Sequence, residues 1–372
     1  MYYICGNVLV EPSGIVENIG CEEIKTEKLW SMERLIVKSF GPLSNIDIEI
    51  KDINIYIGSN PSGKSTVAKL LSILKSGIFF NTNNRLDTFK KSLSNHNIDF
   101  AINEDTLIQY ENGNHFYTIK NQQFASNILN EKDIKSVNPI YIPADRVFFA
   151  TFSQSIFSLI SSDIALPKWL IEFGAKFESA RSHIKELSID FLETKYQWKD
   201  GTDYIQVSDQ TTIKLSQASS GIRSIVPLLL VVQHNTNSKK KDDDLFVIEE
   251  PELNLYPSSQ KDLIEFIIER IKQSEDKLIV TTHSPYLLTS IDNLVQAGNV
   301  VREKPELKND VENIVPSPLW LDFENVACYY FSNGKSTSTL DNELKSIGPS
   351  NIDDISEELS ETFENLLTLR YS

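Results

Sequence analysis

An α/β fold with a largely parallel central sheet is predicted by two stretches of the chain. In the first, an apolar strand at 53–57 is followed by a glycine-containing loop and an amphipathic helix at 67–74. In the second, apolar strands at 245–248 and 278–282 flank a helix at 258–271. Apolar strands that alternate with helices are typical of parallel sheets covered on both faces.

The elements before the loop are short strands. Residues 1–10 are mildly apolar and lack a basic segment, so we predict a strand there rather than a signal peptide. Alternating strands at 32–37 and 46–50 follow, and the turn residues Ser39-Phe40-Gly41-Pro42 join them. These strands lead into the strand that precedes the loop.

The loop at 58–65 reads Gly-Ser-Asn-Pro-Ser-Gly-Lys-Ser, a complete G-x-x-x-x-G-K-[ST] motif. Its backbone N–H groups and the following helix N-terminus suit a bound phosphate, so we predict nucleoside triphosphate binding. Lys64 reaches the outer phosphates in this reading, and the Ser65 hydroxyl coordinates Mg²⁺. The predicted nucleotide contacts here are Gly58, Asn60, Gly63, Lys64, Ser65 and Thr66.

An antiparallel β layer and a helical insertion are predicted next. The Asn-rich segment 81–97 indicates a loop with a short helix. Strand-like runs follow at 98–102, 106–110, 115–119 and 138–143. Apolar residues at helical spacing over 152–193, interrupted by Pro167, indicate the insertion, and 196–215 reads as two or three strands.

A second anion site is predicted at Ala218-Ser219-Ser220-Gly221, which precedes the apolar run 225–232. Small residues that open a helix supply N–H groups and a favourable dipole for a phosphate. One chain rarely needs two sites for one γ-phosphate, so we expect Ser219, Ser220 and Gly221 to contact a nucleotide shared between subunits of a homodimer. Pro227 predicts a helix that kinks or begins later.

Paired acids end the strand at 245–248, in Glu249-Glu250-Pro251. Sheets of this class place ligands at the carboxyl ends of their strands. We predict that Glu249 approaches Mg²⁺ and that Glu250 orients and deprotonates the attacking water. The alternative is an acidic patch that only favours a helix N-terminus, and the upstream loop makes catalysis the preferred reading.

A histidine ends the next strand, in Thr281-Thr282-His283-Ser284-Pro285. A lone histidine is usually structural. His283 follows Glu250 by one crossover unit, however, so we favour a catalytic role in which its ring hydrogen-bonds the γ-phosphate. Beyond it, 301–372 predicts a strand pair with a turn at Asn333-Gly334 and an acidic helix from about Ile352.

Composition narrows the choice of partners. The 372 residues suffice for two or three domain-sized units, and the net charge of −16 argues against a generally basic nucleic-acid-binding surface. A local basic groove, and so nucleic acid as a partner, stays open. Three scattered cysteines and the lack of a stretch near 20 apolar residues lead us to expect a cytoplasmic protein with no membrane partner.

Together these motifs resemble the ABC-type ATPase heads, and more closely the RecF-like and overcoming-lysogenisation-defect (OLD)-like AAA ATPases. The latter are common in bacterial anti-phage systems, including the Septu and retron-associated ATPases. The shared phrases, within about residues 32–300, are Tyr141-Ile142-Pro143-Ala144-Asp145-Arg146, Ala218-Ser219-Ser220-Gly221, Ile248-Glu249-Glu250-Pro251-Glu252 with Tyr256-Pro257, and Thr282-His283-Ser284-Pro285. The resemblance implies an ABC-type head that binds ATP and Mg²⁺ and dimerises around ATP.

Several residues depart from the ABC pattern. Of the usual Leu-Ser-Gly-Gly-Gln signature only Ser219 and Gly221 match, and Tyr256-Pro257 replaces a His-Pro pair. Ala144-Asp145-Arg146 stands where transporter ATPases carry a glutamine loop, so Asp145 or Arg146 is a candidate substitute for the glutamine. Glu249 replaces the more common Asp, as is frequent in the OLD-like group.

The resemblance divides the chain into five segments. They are an N-terminal β extension (1–31), the N-terminal half of the ATPase domain with a β layer (32–143), a helical insertion with short strands (144–215), the C-terminal half of the ATPase domain (216–300), and a C-terminal strand pair with an acidic helix (301–372).

The predicted function is ATP hydrolysis by a dimer, or a higher oligomer, that serves as sensor or scaffold for a separate effector such as a nuclease in anti-phage defence. We expect no intrinsic nuclease, because the tail lacks the Asp-x-Asp of a Toprim domain and Asn95-His96-Asn97 has no companion histidine. A RecF-like or SMC-like DNA-repair ATPase is the alternative. A transporter ATPase subunit and a non-hydrolysing scaffold are further alternatives.

Overall fold

The computed structural model describes most of the chain. The described residues are 3–5, 8–10, 32–78, 82, 84–128, 137–152, 166–237, 244–348 and 353–371. The helices are α1 (Lys64–Ser76), α2 (Arg85–Asn95), α3 (Val147–Phe152), α4 (Lys168–His183), α5 (Ser220–Thr236), α6 (Pro257–Ser274), α7 (Pro285–Glu303), α8 (Lys308–Glu312) and α9 (Asp353–Tyr371).

The strands group into one large sheet and three small ones. They are β1 (Tyr3–Cys5), β2 (Val8–Val10), β3 (Glu33–Phe40), β4 (Leu43–Ile50), β5 (Ile53–Gly58), β6 (Leu107–Asn112), β7 (His115–Lys120), β8 (Gln123–Ser126), β9 (Asn138–Ile142), β10 (Glu186–Ile189), β11 (Thr194–Lys199), β12 (Thr202–Ser208), β13 (Thr211–Lys214), β14 (Asp244–Glu249), β15 (Lys277–Thr282), β16 (Val326–Ser332), β17 (Lys335–Ser338), β18 (Leu340–Asp341) and β19 (Ser346–Ile347). The pairs β1–β2 and β18–β19 are separate two-stranded sheets.

The large sheet has eleven strands in the order β8-β7-β6-β3-β4-β17-β16-β5-β15-β14-β9. The half that runs from β16 to β9 is parallel throughout. The half that runs from β8 to β4 is antiparallel. The predicted fold class, an α/β protein with a mixed sheet and an antiparallel layer, is therefore confirmed.

The part of the core that positions the site lies between the parallel half of the sheet and its helices. Every residue of β5 and β14 is buried, as expected for strands covered on both faces. Helix α1 packs against β9, β14 and β15, while α6 packs against α5 and α7. Because β15 lies between β5 and β14, the carboxyl ends of all three strands meet at one edge of the sheet.

A small antiparallel sheet, β10–β13, is anchored on α4. The Arg181 guanidinium stacks on the Trp198 ring, 4.4 Å from its centroid, and pairs with the buried Asp203 carboxylate at 3.1 Å. Asp203 also accepts a hydrogen bond from the Tyr196 hydroxyl at 2.6 Å. This ion pair joins α4 to β12 within the predicted insertion.

Two predictions about elements need correction, and one strand was missed. The strand predicted at 98–102 is absent, because Phe100 there packs edge-on against Phe40 from a loop. Strand β8 was not predicted. Helix α5 does not begin late, since it starts at Ser220 and continues through Pro227, whose neighbours are buried.

The C-terminal region contributes to the large sheet. Strand β16 pairs in parallel with β5, and β17 lies between β16 and β4. Cys328 in β16 is a buried thiol whose pKa is raised by burial to about 12, whereas Cys21 lies outside the described residues. Across the helices that the structure describes, we find none with the length and apolar character that a membrane crossing requires.

Candidate functional site

The phosphate loop follows β5 and is shaped by its glycines. A Cβ at Gly58 would lie 2.1 Å from the Phe331 carbonyl oxygen of β16, so only glycine fits this close approach. Gly63 has φ +97° and precedes α1, a conformation that glycine adopts without strain. The sequence order strand, loop and helix is thus formed as predicted.

The Lys64 side chain is buried against its own loop. Its Nζ donates to the carbonyl oxygens of Gly58 at 2.7 Å and Ser59 at 3.1 Å. Burial lowers the pKa of the amine to about 8, and the Glu250 and Glu252 carboxylates oppose that change. The amine therefore lies within the electrostatic reach of the acids that follow β14.

Glu249 is the last residue of β14, and its side chain is buried. Its Oε2 accepts a hydrogen bond from the Ala144 N–H at 3.4 Å. Its Oε1 is buried and makes no hydrogen bond of good geometry among the described residues, although the Tyr141 hydroxyl is near enough for its pKa to be raised by burial and then by Glu249. A buried carboxylate oxygen without a partner is costly unless a cation or a donor occupies the place beside it, so Glu249 suits a metal ligand.

Glu250 does not continue the strand, which ends at Glu249. It has φ +42°, in the left-handed region. Its Oε1 lies 3.3 Å from His283 Nε2, which has no other hydrogen-bond partner among the described residues. The pKa of the Glu250 carboxyl is lowered from its ordinary value, first by His283 and then by Lys64 and Arg146, while burial opposes the change.

Glu252 is a candidate site residue to which the sequence analysis assigns no role. Its Oε1 accepts hydrogen bonds from the Thr282 hydroxyl at 2.7 Å and the His283 backbone N–H at 2.8 Å. It therefore ties the loop after β14 to the end of β15 and fixes the backbone from which the His283 ring projects. The signal was present, since Glu252 completes the Glu-Glu-Pro-Glu phrase.

Arg146 is completely buried and is bound only to backbone carbonyls. Its guanidinium has five N–H donors, and all five are used. The acceptors are the carbonyl oxygens of Pro143 (3.1 Å), Ser224 (2.9 Å), Glu249 (2.8 Å), Glu250 (2.8 Å) and Pro251 (3.2 Å). Arg146 thus has no donor left to replace a glutamine-loop side chain, and the neighbouring Asp145 is exposed.

The small-residue signature lies on a different element, at the start of α5. Ser219 caps the helix, with its Oγ accepting from the Ile222 N–H at 3.4 Å, and both Ser219 and Ser220 are exposed. Gly221 is buried, and a Cβ there would lie 2.8 Å from the Asn254 carbonyl oxygen. The signature turn is therefore packed against the loop that carries the acids, with its two serines open to the surface.

The donor set fits Mg²⁺ held partly by a nucleotide. The described residues contain no group of three or more His, Cys, Asp or Glu side chains that would bind a metal by themselves. Mg²⁺ is usually bound by one or two protein oxygens together with phosphates and water. The partnerless Glu249 oxygen and the half-buried Ser65 hydroxyl supply oxygens of that kind.

The predicted residues therefore form two groups. Lys64, Ser65, Glu249, Glu250 and His283 follow β5, β14 and β15 and meet at the shared edge of the sheet. Gly58, Asn60, Gly63 and Thr66 belong to the loop and first turn beside them. Ser219, Ser220 and Gly221 form the second group on α5.

Comparison with known proteins indicates an ATPase. Residues 160–288 match the family model of an AAA ATPase domain, about a third of the chain. This range contains the signature, the paired acids and His283. No curated protein matches the chain.

Three solved structures are similar to this chain in fold, each at low sequence identity. The SMC head domain from Thermotoga maritima is 14% identical, with a TM-score of 0.41 over 83% of this chain and 98% of that one. An ATP-binding cassette of an ABC transporter in its ADP conformation is 15% identical, with a TM-score of 0.38 over 84% and 92%. The recombination mediator RecF with ATP is 9% identical, with a TM-score of 0.40 over 82% and 98%.

Proposed function

We propose that this protein is a Mg²⁺-dependent ATPase of the RecF-like or OLD-like type. The observation that carries the proposal is the meeting of Lys64, Glu249, Glu250 and His283 at one edge of the parallel sheet. A phosphate loop alone supports nucleotide binding, whereas a carboxylate at the strand end, 3.3 Å from a histidine, also supports hydrolysis.

Each residue has a distinct role in this proposal. The loop N–H groups and Lys64 bind the phosphates. Ser65 and Glu249 hold Mg²⁺, which when bound neutralises charge on the phosphate oxygens. Glu250 is ionised at neutral pH and accepts the proton of the attacking water, while the His283 ring contacts the γ-phosphate.

The test is phosphate release from ATP by the purified chain, with and without Mg²⁺. We expect turnover with Mg²⁺, loss of turnover when the metal is chelated, and loss of ATP binding in Lys64→Ala. Equal rates for the wild type and Lys64→Ala would refute the proposal.

A nucleotide shared between two subunits follows from the second group of residues. Ser219 and Ser220 are exposed at a helix N-terminus, where backbone N–H groups suit a phosphate from another molecule. We propose that each ATP lies between the loop of one subunit and the signature of its partner, and that the dimer forms around ATP.

We also propose that the ATPase acts with a separate effector protein. The exposed residues of helix α9 support this part of the proposal. Phe363, Leu366, Leu369 and Tyr371 are 62%, 60%, 74% and 78% exposed. The helix sequence also carries six carboxylates and one arginine. Such a helix suits an apolar groove flanked by basic side chains on another protein. Since this chain has a net charge of −16, a second copy is a poor occupant.

To test for a bound effector, the product of the adjacent gene is co-expressed with this chain. We expect it to co-purify with the wild type and to be lost with the pair Phe363→Glu and Leu366→Glu. Leu344→Glu, which alters another exposed leucine away from α9, is the control. Anti-phage defence rests on the shared sequence phrases alone. Salt-sensitive DNA binding by the chain would favour the DNA-repair alternative instead.

A further inference from the structure

Arg146 joins two parts of the proposed ATP site that come from distant stretches of the chain. Three of its five hydrogen bonds go to consecutive carbonyls after β14, at Glu249, Glu250 and Pro251. A fourth goes to the Ser224 carbonyl in the first turns of the signature helix α5. A single side chain therefore links the segment that carries the acids to the helix that carries the signature.

The backbone of Glu250 requires support of this kind. Its φ of +42° lies in the left-handed region, where a residue with a Cβ is strained. Three hydrogen bonds hold it there. Its N–H donates to the Thr281 carbonyl at 2.9 Å, and its carbonyl accepts from Arg146 Nη2 at 2.8 Å and from the Leu253 N–H at 3.1 Å. This conformation directs the carboxylate away from the strand and towards His283 Nε2.

We propose that Arg146 is a positioning residue for the general base. Its guanidinium stabilises the left-handed conformation of Glu250 and keeps the carboxylate beside His283, at a fixed place relative to α5. The inference rests on the proposed ATPase function. A lysine cannot replace the arginine here, because an ammonium has three donors on one atom and cannot bridge five carbonyls spread over two elements.

The catalytic test compares Arg146→Lys with a matched control. If Arg146 acts through Glu250, kcat should fall about 10- to 100-fold, while the Kd for a non-hydrolysable ATP analogue should stay within about threefold of the wild type. The control is Arg181→Lys, which alters a buried arginine that pairs with Asp203 outside the site. It should lower the melting temperature and leave kcat unchanged.

Non-additivity separates positioning from general damage. In a Glu250→Gln background the base is already lost, so adding Arg146→Lys should change the residual rate less than threefold. If the two effects multiply instead, or if Arg146→Lys lowers the melting temperature and leaves kcat unchanged, the proposal fails.

A double-mutant cycle of folding stability tests whether Arg146 supports the Glu250 backbone, even if the chain does not hydrolyse ATP. Glycine adopts the left-handed conformation without support, so in a Glu250→Gly background the loss of stability caused by Arg146→Lys should shrink. Urea denaturation measures the free energy of unfolding of each variant. An unchanged loss would overturn the proposed support of Glu250. If Arg146→Lys does not fold, Arg146→Gln, which keeps two amide donors, replaces it. If neither folds, the role is structural and the proposal fails.

Discussion

The imidazole Nε2 of His283 lies 3.3 Å from Oε1 of Glu250. Both side chains are partly open to solvent, 29% for His283 and 26% for Glu250, so a water molecule and a phosphate can approach them from outside. The contact joins the ends of two neighbouring parallel strands, β15 and β14. Because of this contact, the protonation of Glu250, the predicted base, depends on His283, the residue predicted to contact the γ-phosphate.

Replacing Glu250 by glutamine should abolish turnover and spare binding. Glutamine keeps the shape of the side chain but cannot take a proton from water. We expect kcat to fall about 10² to 10⁴-fold, the usual contribution of a general base. Phosphate release and binding of a fluorescent ATP analogue measure the two properties.

Glu265→Gln is the control for that change, because Glu265 pairs with Lys261 on α6 and is not part of the site. It should behave as the wild type. Near-normal turnover in Glu250→Gln would remove Glu250 from the mechanism.

The acidic limb of the pH–rate profile should depend on His283. Because His283 is the largest cause of the lowered Glu250 pKa, the carboxylate stays ionised to a lower pH than usual. In His283→Asn the pKa should rise, so activity should fall at a higher pH as the solution is acidified. The measurement is kcat/KM against pH for both proteins, within the range where each stays folded. Coincident acidic limbs would contradict a functional contact between the two residues.

ATP affinity should weaken as the pH rises through about 8, the lowered pKa of Lys64. The protonated amine attracts the phosphates and the neutral amine does not, so the affinity is highest below that pKa and is lost above it. Titrations of an ATP analogue between about pH 7 and 9 test this. Lys64→Arg stays protonated over the whole range. Its affinity, whatever its absolute value, should therefore be flat, and an equal slope in both proteins would assign the effect to another group.

Glu252 should matter through its acceptor oxygen rather than through its charge. Glu252→Gln keeps an oxygen that can accept from the Thr282 hydroxyl and the His283 N–H, whereas Glu252→Ala leaves both donors unpaired. An unpaired buried donor costs about 1–3 kcal/mol. We expect Glu252→Ala to lose stability by about that amount together with much of kcat. Glu252→Gln should lie close to the wild type. Equal losses in both variants would point to the charge instead.

Much of the site could be predicted because its residues lie in short local phrases. The loop at 58–65, the acids after β14 and His283 after β15 each follow a buried strand, and parallel strands bring such ends to one edge. The role of Arg146 could not be predicted in this way. Its acceptors are carbonyl oxygens of Ser224 and of Glu249 to Pro251, which come close only after the chain has folded.

The errors in predicting the fold from the sequence have similar physical causes. Ile98 and Phe100 alternate as in a strand, but they pack their side chains from a loop, with Phe100 against Phe40. Strand β16 was recognised as a strand, yet its place beside β5 depends on pairing between remote parts of the chain. Local patterns do not determine such pairing, since strand period and apolar content are the same for any partner.

Two inactive variants should complement each other if the nucleotide is shared between subunits. Lys64→Ala damages the phosphate loop. For the signature, Gly221 is an unsuitable target because any Cβ there meets the Asn254 carbonyl of its own chain at 2.8 Å. Ser220 is exposed and is the first residue of α5, where an acidic side chain is compatible with the helix dipole but repels a phosphate. Ser220→Glu should therefore fold normally and inactivate the homodimer.

A mixed dimer of these two variants contains one site with both defects and one site with neither. Mixing the inactive proteins should restore part of the ATPase activity, up to about a quarter of the wild-type rate if subunits exchange at random and sites act independently, because half of the dimers are mixed and each has one intact site. If both sites must act together, ATP-dependent dimerisation should return instead. Exchange is followed with differently labelled subunits. If exchange occurs and neither property returns, the signature acts within its own chain and the shared site is wrong.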